Sequence, residues 1–310
     1  MERPSLTVIT DGGVDLPEWA PAALNIKVVP LKVRFGEQEL SSGVDITPGE
    51  FYRRLRQGGE FPQTSQPSVG DFLAAYQEAA ELGLPILSIH LSGAMSGSIR
   101  SAQTAADLLP GVAIRVVDTG TLSGAMAMQV MVAADMALQG FSVEEILAQM
   151  QEVGRKSDTL FTIDKLDYLR RGGRIGKVAG YVGSLLGIRP IITVEKPGGV
   201  YTATGRARSY QGAVAQIVET MVDRLGEGAE VSVIIMQGDA QAEVDWMINA
   251  LHQRLNPLWI EVVHANPSLG AHVGPDALGV AYYPGMLPLR ALSLSAVGQS
   301  GSLWRTSRTS

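Results

Sequence analysis

Apolar and polar positions along the chain fall into two alternating textures. β-Branched runs at 6–10 and 26–35 read as strands, the second interrupted by Pro30, which suits an edge or a bulge. Thr47-Pro48-Gly49-Glu50 places a cap, a first-turn proline and a capping-box glutamate ahead of Phe51-Tyr52, and Ser68 with Asp71 opens the next helix similarly. A compact apolar run at 86–91 is expected as a buried strand, followed by a loop of small residues and a helix over about 98–108; 112–117 repeats the strand pattern. Strands alternating with helices imply a parallel sheet. The longest apolar stretch, 122–138, carries Gln129 and Asp135 and reads as a buried helix rather than a membrane span.

The texture changes near Lys156. Ser142 and Glu145 cap a helix to about Gly154, after which come an apolar run at 160–163 and the glycine-rich Arg171-Gly172-Gly173-Arg174. Runs at 188–194 and 200–204 flank Pro197-Gly198-Gly199 as a hairpin would, so antiparallel pairing is expected. Helices near 211–225 and 242–255 then alternate with strands at 231–236, 260–264 and 278–283. The pattern predicts two α/β domains, 1–156 with a parallel sheet and 157–286 of α+β type with a mixed or antiparallel sheet. After Met286 there are three arginines and no acidic residue in a Ser/Thr-rich end, so 287–310 is expected to be a disordered tail.

Bulk properties narrow the functions. The 310 residues carry a formal charge of −6 without a clustered basic surface in the body, which argues against nucleic acid or an anionic membrane as main partner. A transient contact with a membrane surface is left open. Cysteine is absent, which excludes a disulfide framework and a thiolate nucleophile and suits a cytoplasmic location; the start at Met1-Glu2-Arg3-Pro4 lacks the features of a signal peptide. Four histidines without H-x-x-x-H spacing predict no metal site, and Asp11, Asp15 and Asp118 read as turn and cap residues. No glycine-rich nucleotide loop follows the early strands, so no cofactor is expected.

Four segments could carry chemistry. Gln63-Thr64-Ser65-Gln66-Pro67-Ser68 offers hydroxyls to an oxyanion, or is a turn that caps the following helix. Ser92-Gly93-Ala94-Met95-Ser96-Gly97-Ser98 lies between strand and helix, where amides and the helix dipole favour an anion; Ser96 or Ser98 could equally cap an empty helix end. Its serine stands one residue late for a G-x-S-x-G hydrolase elbow. In Arg170-Arg171-Gly172-Gly173-Arg174, Arg174 could clamp phosphate or carboxylate, or the segment could be a helix end with a glycine cap. Gly270-Ala271-His272-Val273-Gly274-Pro275 sets a histidine between small residues in a loop, suited to proton handling or to a structural role.

Taken in order, Thr10-Asp11 with Asp15-Leu16-Pro17, Val29-Pro30-Leu31, the segment from Thr64 to Ser68, Ser88-Ile89-His90-Leu91-Ser92 with Ser96-Gly97-Ser98, Gly172-Gly173-Arg174-Ile175 and Ala271-His272-Val273-Gly274 resemble the DegV family. The resemblance implies a Rossmann-like first domain and a tunnel holding a long-chain fatty acid, with Thr64 and Ser96 on its carboxylate. It implies a non-enzymatic carrier that presents the carboxyl group to a separate ATP-dependent fatty-acid kinase for acyl-phosphate formation in phospholipid metabolism. Arg174, Arg208 and His272 would face that kinase. The alternatives are an acyl hydrolase using Ser96 and His272, and a lipid-binding or transport module with no kinase partner. The chain departs from the family pattern at Gly12, Gly93 and Thr119, where serine is usual.

Overall fold

The structure is a computed structural model that describes residues 4–181 and 187–290. The first apolar run forms β1 (Thr7–Asp11), which pairs in parallel with β2 (Ile26–Val29) across the short helix α1 (Ala20–Ala23). The run expected over 26–35 is in fact two strands in two sheets. Pro30 has no N–H to give a ladder, and beyond it β3 (Lys32–Phe35) pairs with β4 (Gln38–Ser41) and with β5 (Gln63–Ser65) in a small antiparallel sheet. Between these lies α2 (Pro48–Gln57), started by Thr47, whose Oγ1 accepts the Glu50 N–H at 3.3 Å; the Glu50 carboxylate turns to Arg53 and Arg54. Helix α3 (Val69–Ala80) has the full reciprocal box between Ser68 and Asp71.

The remaining elements up to Lys156 are β6 (Ile86–His90), α4 (Ser98–Asp107), β7 (Ile114–Asp118), α5 (Ser123–Leu138) and α6 (Val143–Lys156). They complete a parallel sheet of order β2-β1-β6-β7. Its residues divide by face with the strand period of two. Ile9 and Ile86 pack toward α3 and α4, whereas Val8, Leu87 and Ile89 pack toward α5.

Beyond Lys156 come β8 (Asp158–Thr162), α7 (Asp167–Arg171), a 3-10 turn (Gly176–Tyr181), β9 (Arg189–Val194), β10 (Tyr201–Ala207), α8 (Tyr210–Leu225) and β11 (Glu230–Gln237). They are followed by α9 (Gln241–Arg254), β12 (Asn256–His264), α10 (Pro267–Val273) and β13 (Leu278–Pro284). The strands form a mixed sheet of order β10-β9-β8-β13-β11-β12, antiparallel except for the β11–β12 pair. The fold is α/β with a parallel sheet and a separate mixed sheet.

Helix α5 lies between these two sheets, touching β1 on one side and β8, β11 and β13 on the other. A helix apolar on every side is stable only when buried all round, and α5 meets that condition. At Gly124 a Cβ would stand 2.8 Å from the Ala281 Cβ, so the helix reaches the mixed sheet only because that residue has no side chain. Helices α8 and α9 cover the far face of the mixed sheet. Leu287 and Leu289, in the stretch expected to form a tail, are buried against this core; the Leu287 N–H donates to Ser232 Oγ at 2.8 Å and the Arg290 N–H to Asp135 Oδ2 at 2.9 Å. Residues 291–310 of that stretch lie outside the described residues. Among the described residues, no helix is long and apolar enough to cross a membrane.

Candidate functional site

Three segments distant in sequence converge beyond the carboxyl ends of the parallel strands, where open α/β sheets hold their ligands. The first is β5. It pairs Thr64 with Val33 of β3, so Thr64 stands on a strand and not in a turn. The second is the loop leaving β6, pinned by the Ser92 N–H on the Thr121 carbonyl at 2.7 Å and the Gly93 N–H on Asp118 Oδ2 at 3.0 Å. A Cβ at Gly93 would come 2.9 Å from that same Asp118 Oδ2, so a serine here would have to move the carboxylate. Helix α4 has Gly97 at its cap position with no side-chain cap; Ser96 Oγ instead accepts the Ser98 N–H at 3.2 Å and lies 2.9 Å from Ser98 Oγ.

The third segment pairs α7 with α10. His272 was expected in a loop, but Asn266 caps a helix that begins at Pro267, and His272 occupies its last turn. Gly270 is what lets that helix sit close: a Cβ there would lie 2.8 Å from the Phe51 ring. Gly172 closes α7, so the helix-end reading holds for Arg170 and Arg171, while Arg174 just beyond turns inward. Its Nε donates to the Met95 carbonyl at 3.2 Å and its Nη1 to the Gly172 carbonyl at 2.6 Å. Arg174 has no carboxylate partner among the described residues.

These residues line one pocket, whose wall includes Thr64, Gln66, Ser96, Arg174 and His272. Arg208 is not part of it and lies exposed in the bend before α8. The His272 imidazole packs over Gly172, where a Cβ would overlap it, and its Nε2 is 2.8 Å from Thr64 Oγ1. Burial first, and then the Arg174 charge, push the His272 pKa down to about 4, so the ring is neutral at pH 7. Its Nδ1 is buried without a partner. A buried N–H with no acceptor is costlier than an acceptor with no donor, so the proton belongs on Nε2, donating to Thr64 Oγ1. The Thr64 hydroxyl then keeps its own proton for a ligand.

A second, predominantly apolar cavity adjoins the first and shares Leu122, Tyr201 and Leu269 with it. Phe161, Val194, Met236 and Leu278 make up much of its wall. It is invisible in the sequence, because it is assembled from α5, α10 and five strands of the mixed sheet and has no local motif. Asp15 also belongs to this wall. It is not the turn residue expected: it is 3% exposed, accepting from Ser123 Oγ at 2.5 Å and from the Asn266 N–H at 2.7 Å, and burial raises its pKa to about 6.

Asp11 does more than the turn role expected of it. It is fully buried; His90 Nδ1 lies 2.9 Å from its Oδ2, and His90 Nε2 lies 2.8 Å from Ser88 Oγ, which receives the Tyr76 hydroxyl at 2.8 Å. Serine, histidine and aspartate thus stand in hydrolase order and spacing, yet none of the three is exposed. Asp11 also accepts the Leu91 N–H at 3.2 Å and the Gly13 N–H at 2.8 Å, which fixes the starts of the loops after β6 and β1.

Fold and site together define an α/β protein whose parallel and mixed sheets frame a pocket bearing hydroxyls and an arginine beside a predominantly apolar one. The family model described as "Uncharacterised protein, DegV family" matches residues 5–285, and the chain belongs to the DegV family. A DegV domain-containing protein of Deinococcus radiodurans is 38% identical over 92% of this chain and 98% of its own length. A DegV family protein of Thermus thermophilus, whose structure concerns its fatty-acid binding, superposes with a TM-score of 0.84 at 31% identity over 90% of this chain and 99% of its own. A stearic acid-binding protein of Eubacterium ventriosum gives a TM-score of 0.78 at 26% identity over 90% and 98%.

Proposed function

We propose that this protein binds a long-chain fatty acid, with the carboxylate in the mouth at Thr64, Ser96 and Arg174 and the hydrocarbon in the adjoining cavity. The observation that carries this reading is the pair of neighbouring cavities that share Leu122, Tyr201 and Leu269 in their walls, polar on one side and apolar on the other. The similar proteins of Thermus thermophilus and Eubacterium ventriosum, described as binding fatty acid and stearic acid, support it. At ~0.8 kcal/mol per methylene, burying roughly fifteen of them supplies on the order of 12 kcal/mol before ordering costs. The tail thus provides affinity, and the hydroxyls and Arg174 set orientation, because a buried carboxylate without donors is strongly penalised.

The finer proposal is that the chain is a carrier subunit that presents the carboxyl group to a separate ATP-dependent kinase. A neutral His272 beside Arg174 suits a site where a phosphoryl group arrives from outside, since transfer develops charge that arginine can meet. Arg208, exposed and away from the cavity, would be a docking contact. A hydrolase using Ser96 and His272 is disfavoured: His272 Nε2 engages Thr64, its Nδ1 lacks an orienting carboxylate, and Ser96 engages Ser98.

Calorimetry with palmitate or oleate on delipidated protein tests the binding claim. Thr64→Ala and Ser96→Ala should each weaken binding by about 1–3 kcal/mol, less than additively because both address one carboxylate. Unchanged affinity in the double variant would place the head group elsewhere. With a cognate kinase and ATP, Arg208→Ala should retain lipid while forming little acyl phosphate; full product formation would remove Arg208 from the docking role.

A further inference from the structure

Three polar side chains, Asp15, Ser123 and Thr159, interrupt the apolar wall of the tail cavity; Ser123 is engaged with Asp15, and a plain hydrocarbon satisfies neither of the other two. Asp15 is buried there, and no lysine or arginine pairs with it among the described residues. Each of its oxygens accepts one hydrogen bond, from Ser123 and from Asn266, and keeps a lone pair for another donor. Thr159 of β8 is the second. Its hydroxyl is buried and makes no hydrogen bond. Along β8, Leu160 faces the α8–α9 core while Phe161 faces the cavity, so Thr159, two residues from Phe161, shares the cavity face. The other buried hydroxyls without partners, on Thr7, Ser157 and Thr162, belong to residues outside this cavity.

We propose that the tail cavity selects a fatty acid carrying a hydroxyl group along its chain, which pairs with Thr159 in the wall that Asp15 shares. This rests on the fatty-acid reading of the site and deepens it. A hydroxyl moved from water into an apolar cavity is penalised unless it is paired, and leaving Thr159 unpaired beneath a saturated chain carries a penalty of the same kind. A hydroxylated chain removes both costs at once, because its oxygen can accept from Thr159 while its proton remains free for an acceptor in the same wall. Sites with a buried polar group aimed at a substrate hydroxyl discriminate against the analogue that lacks it.

Calorimetric titration of the delipidated protein with octadecanoic acid and with its 3-, 10- and 12-hydroxy derivatives tests the inference. At least one hydroxy acid is expected to bind about five- to tenfold more tightly than octadecanoic acid. Thr159→Val, which keeps the shape and removes the hydroxyl, should bring that ratio to about one, and Thr159→Ser should restore it. If no hydroxy acid binds more tightly than octadecanoic acid, or if the preference survives in Thr159→Val, Thr159 is satisfied by water or not at all and the inference fails. Failure of all four acids to bind would overturn the fatty-acid reading itself.

Discussion

Asp15 and His272 put opposite pH dependences into one protein. The Asp15 pKa stands at about 6 when folded against 3.8 in a free side chain, so between these values the folded state holds the extra proton. Its contribution to stability is therefore complete below pH 4 and declines as pH rises to 6, by roughly 3 kcal/mol. His272 runs the other way: its pKa falls from 6.5 to about 4, the unfolded state binds the proton, and stability rises with pH across that window. Asp15→Asn should leave only the rising limb. Urea unfolding at pH 4 and pH 7 should show the variant gaining about 3 kcal/mol on the wild type between the two; a pH-independent difference would mean that Asp15 does not titrate in this range.

Neighbouring glycines offer a cleaner separation of roles. A Cβ at Gly172 would overlap the His272 ring, so Gly172→Ala should displace the imidazole from Thr64 and weaken fatty-acid binding about tenfold with little change in melting temperature. Gly173 adopts φ +71° with open space around it, so Gly173→Ala should cost about 1 kcal/mol in stability through backbone strain and affect binding less. Equal binding losses in the two variants would remove Gly172 from any special role beneath His272. At this scale the sequence exposed the residues whose neighbours are diagnostic, Thr64, Ser96, Arg174 and His272. It concealed Asp15, whose position in the apolar wall depends on Ser123 and Asn266, more than a hundred residues away.

Among the elements, the helices with capping signals were legible and the irregular connections were not. Ser68 and Ser142 each form a complete capping box, because serine followed three residues later by a carboxylate satisfies two orphan donors without tertiary help. Helix α10 escaped notice because its seven residues include a proline, three small residues and a histidine, and its stability comes from Asn266 and from packing on α2. The divergence of β2 and β3 at Pro30 was equally hidden, since one apolar run serves two sheets. The capping boxes differ in their relation to the site. Ser142→Ala and Ser68→Ala should each lower stability by about 1 kcal/mol, but only Ser68→Ala, four residues after the strand position of Thr64, should also weaken fatty-acid binding. If Ser142→Ala weakened binding as much, the effect would be global loosening.

On the scale of the molecule, α5 decides the architecture. It fills the space between the parallel and mixed sheets, and the tail cavity lies where its amino end meets β8, β11 and β13. The chain therefore places an anion-suited mouth at the carboxyl ends of one sheet and an apolar cavity against the other. The two-sheet plan could be read from alternating strands and helices, but the cavity between the sheets could not, since it has no sequence of its own. The most direct test of this account is a crystal structure with 16-bromohexadecanoic acid, the bromine located by its anomalous scattering. The account predicts the carboxylate within hydrogen-bonding distance of Thr64 Oγ1 and Ser96 Oγ, and the bromine in the cavity lined by Phe161, Met236 and Leu278. Bromine at the mouth beside Arg174, or a chain lying outside both cavities, would contradict it.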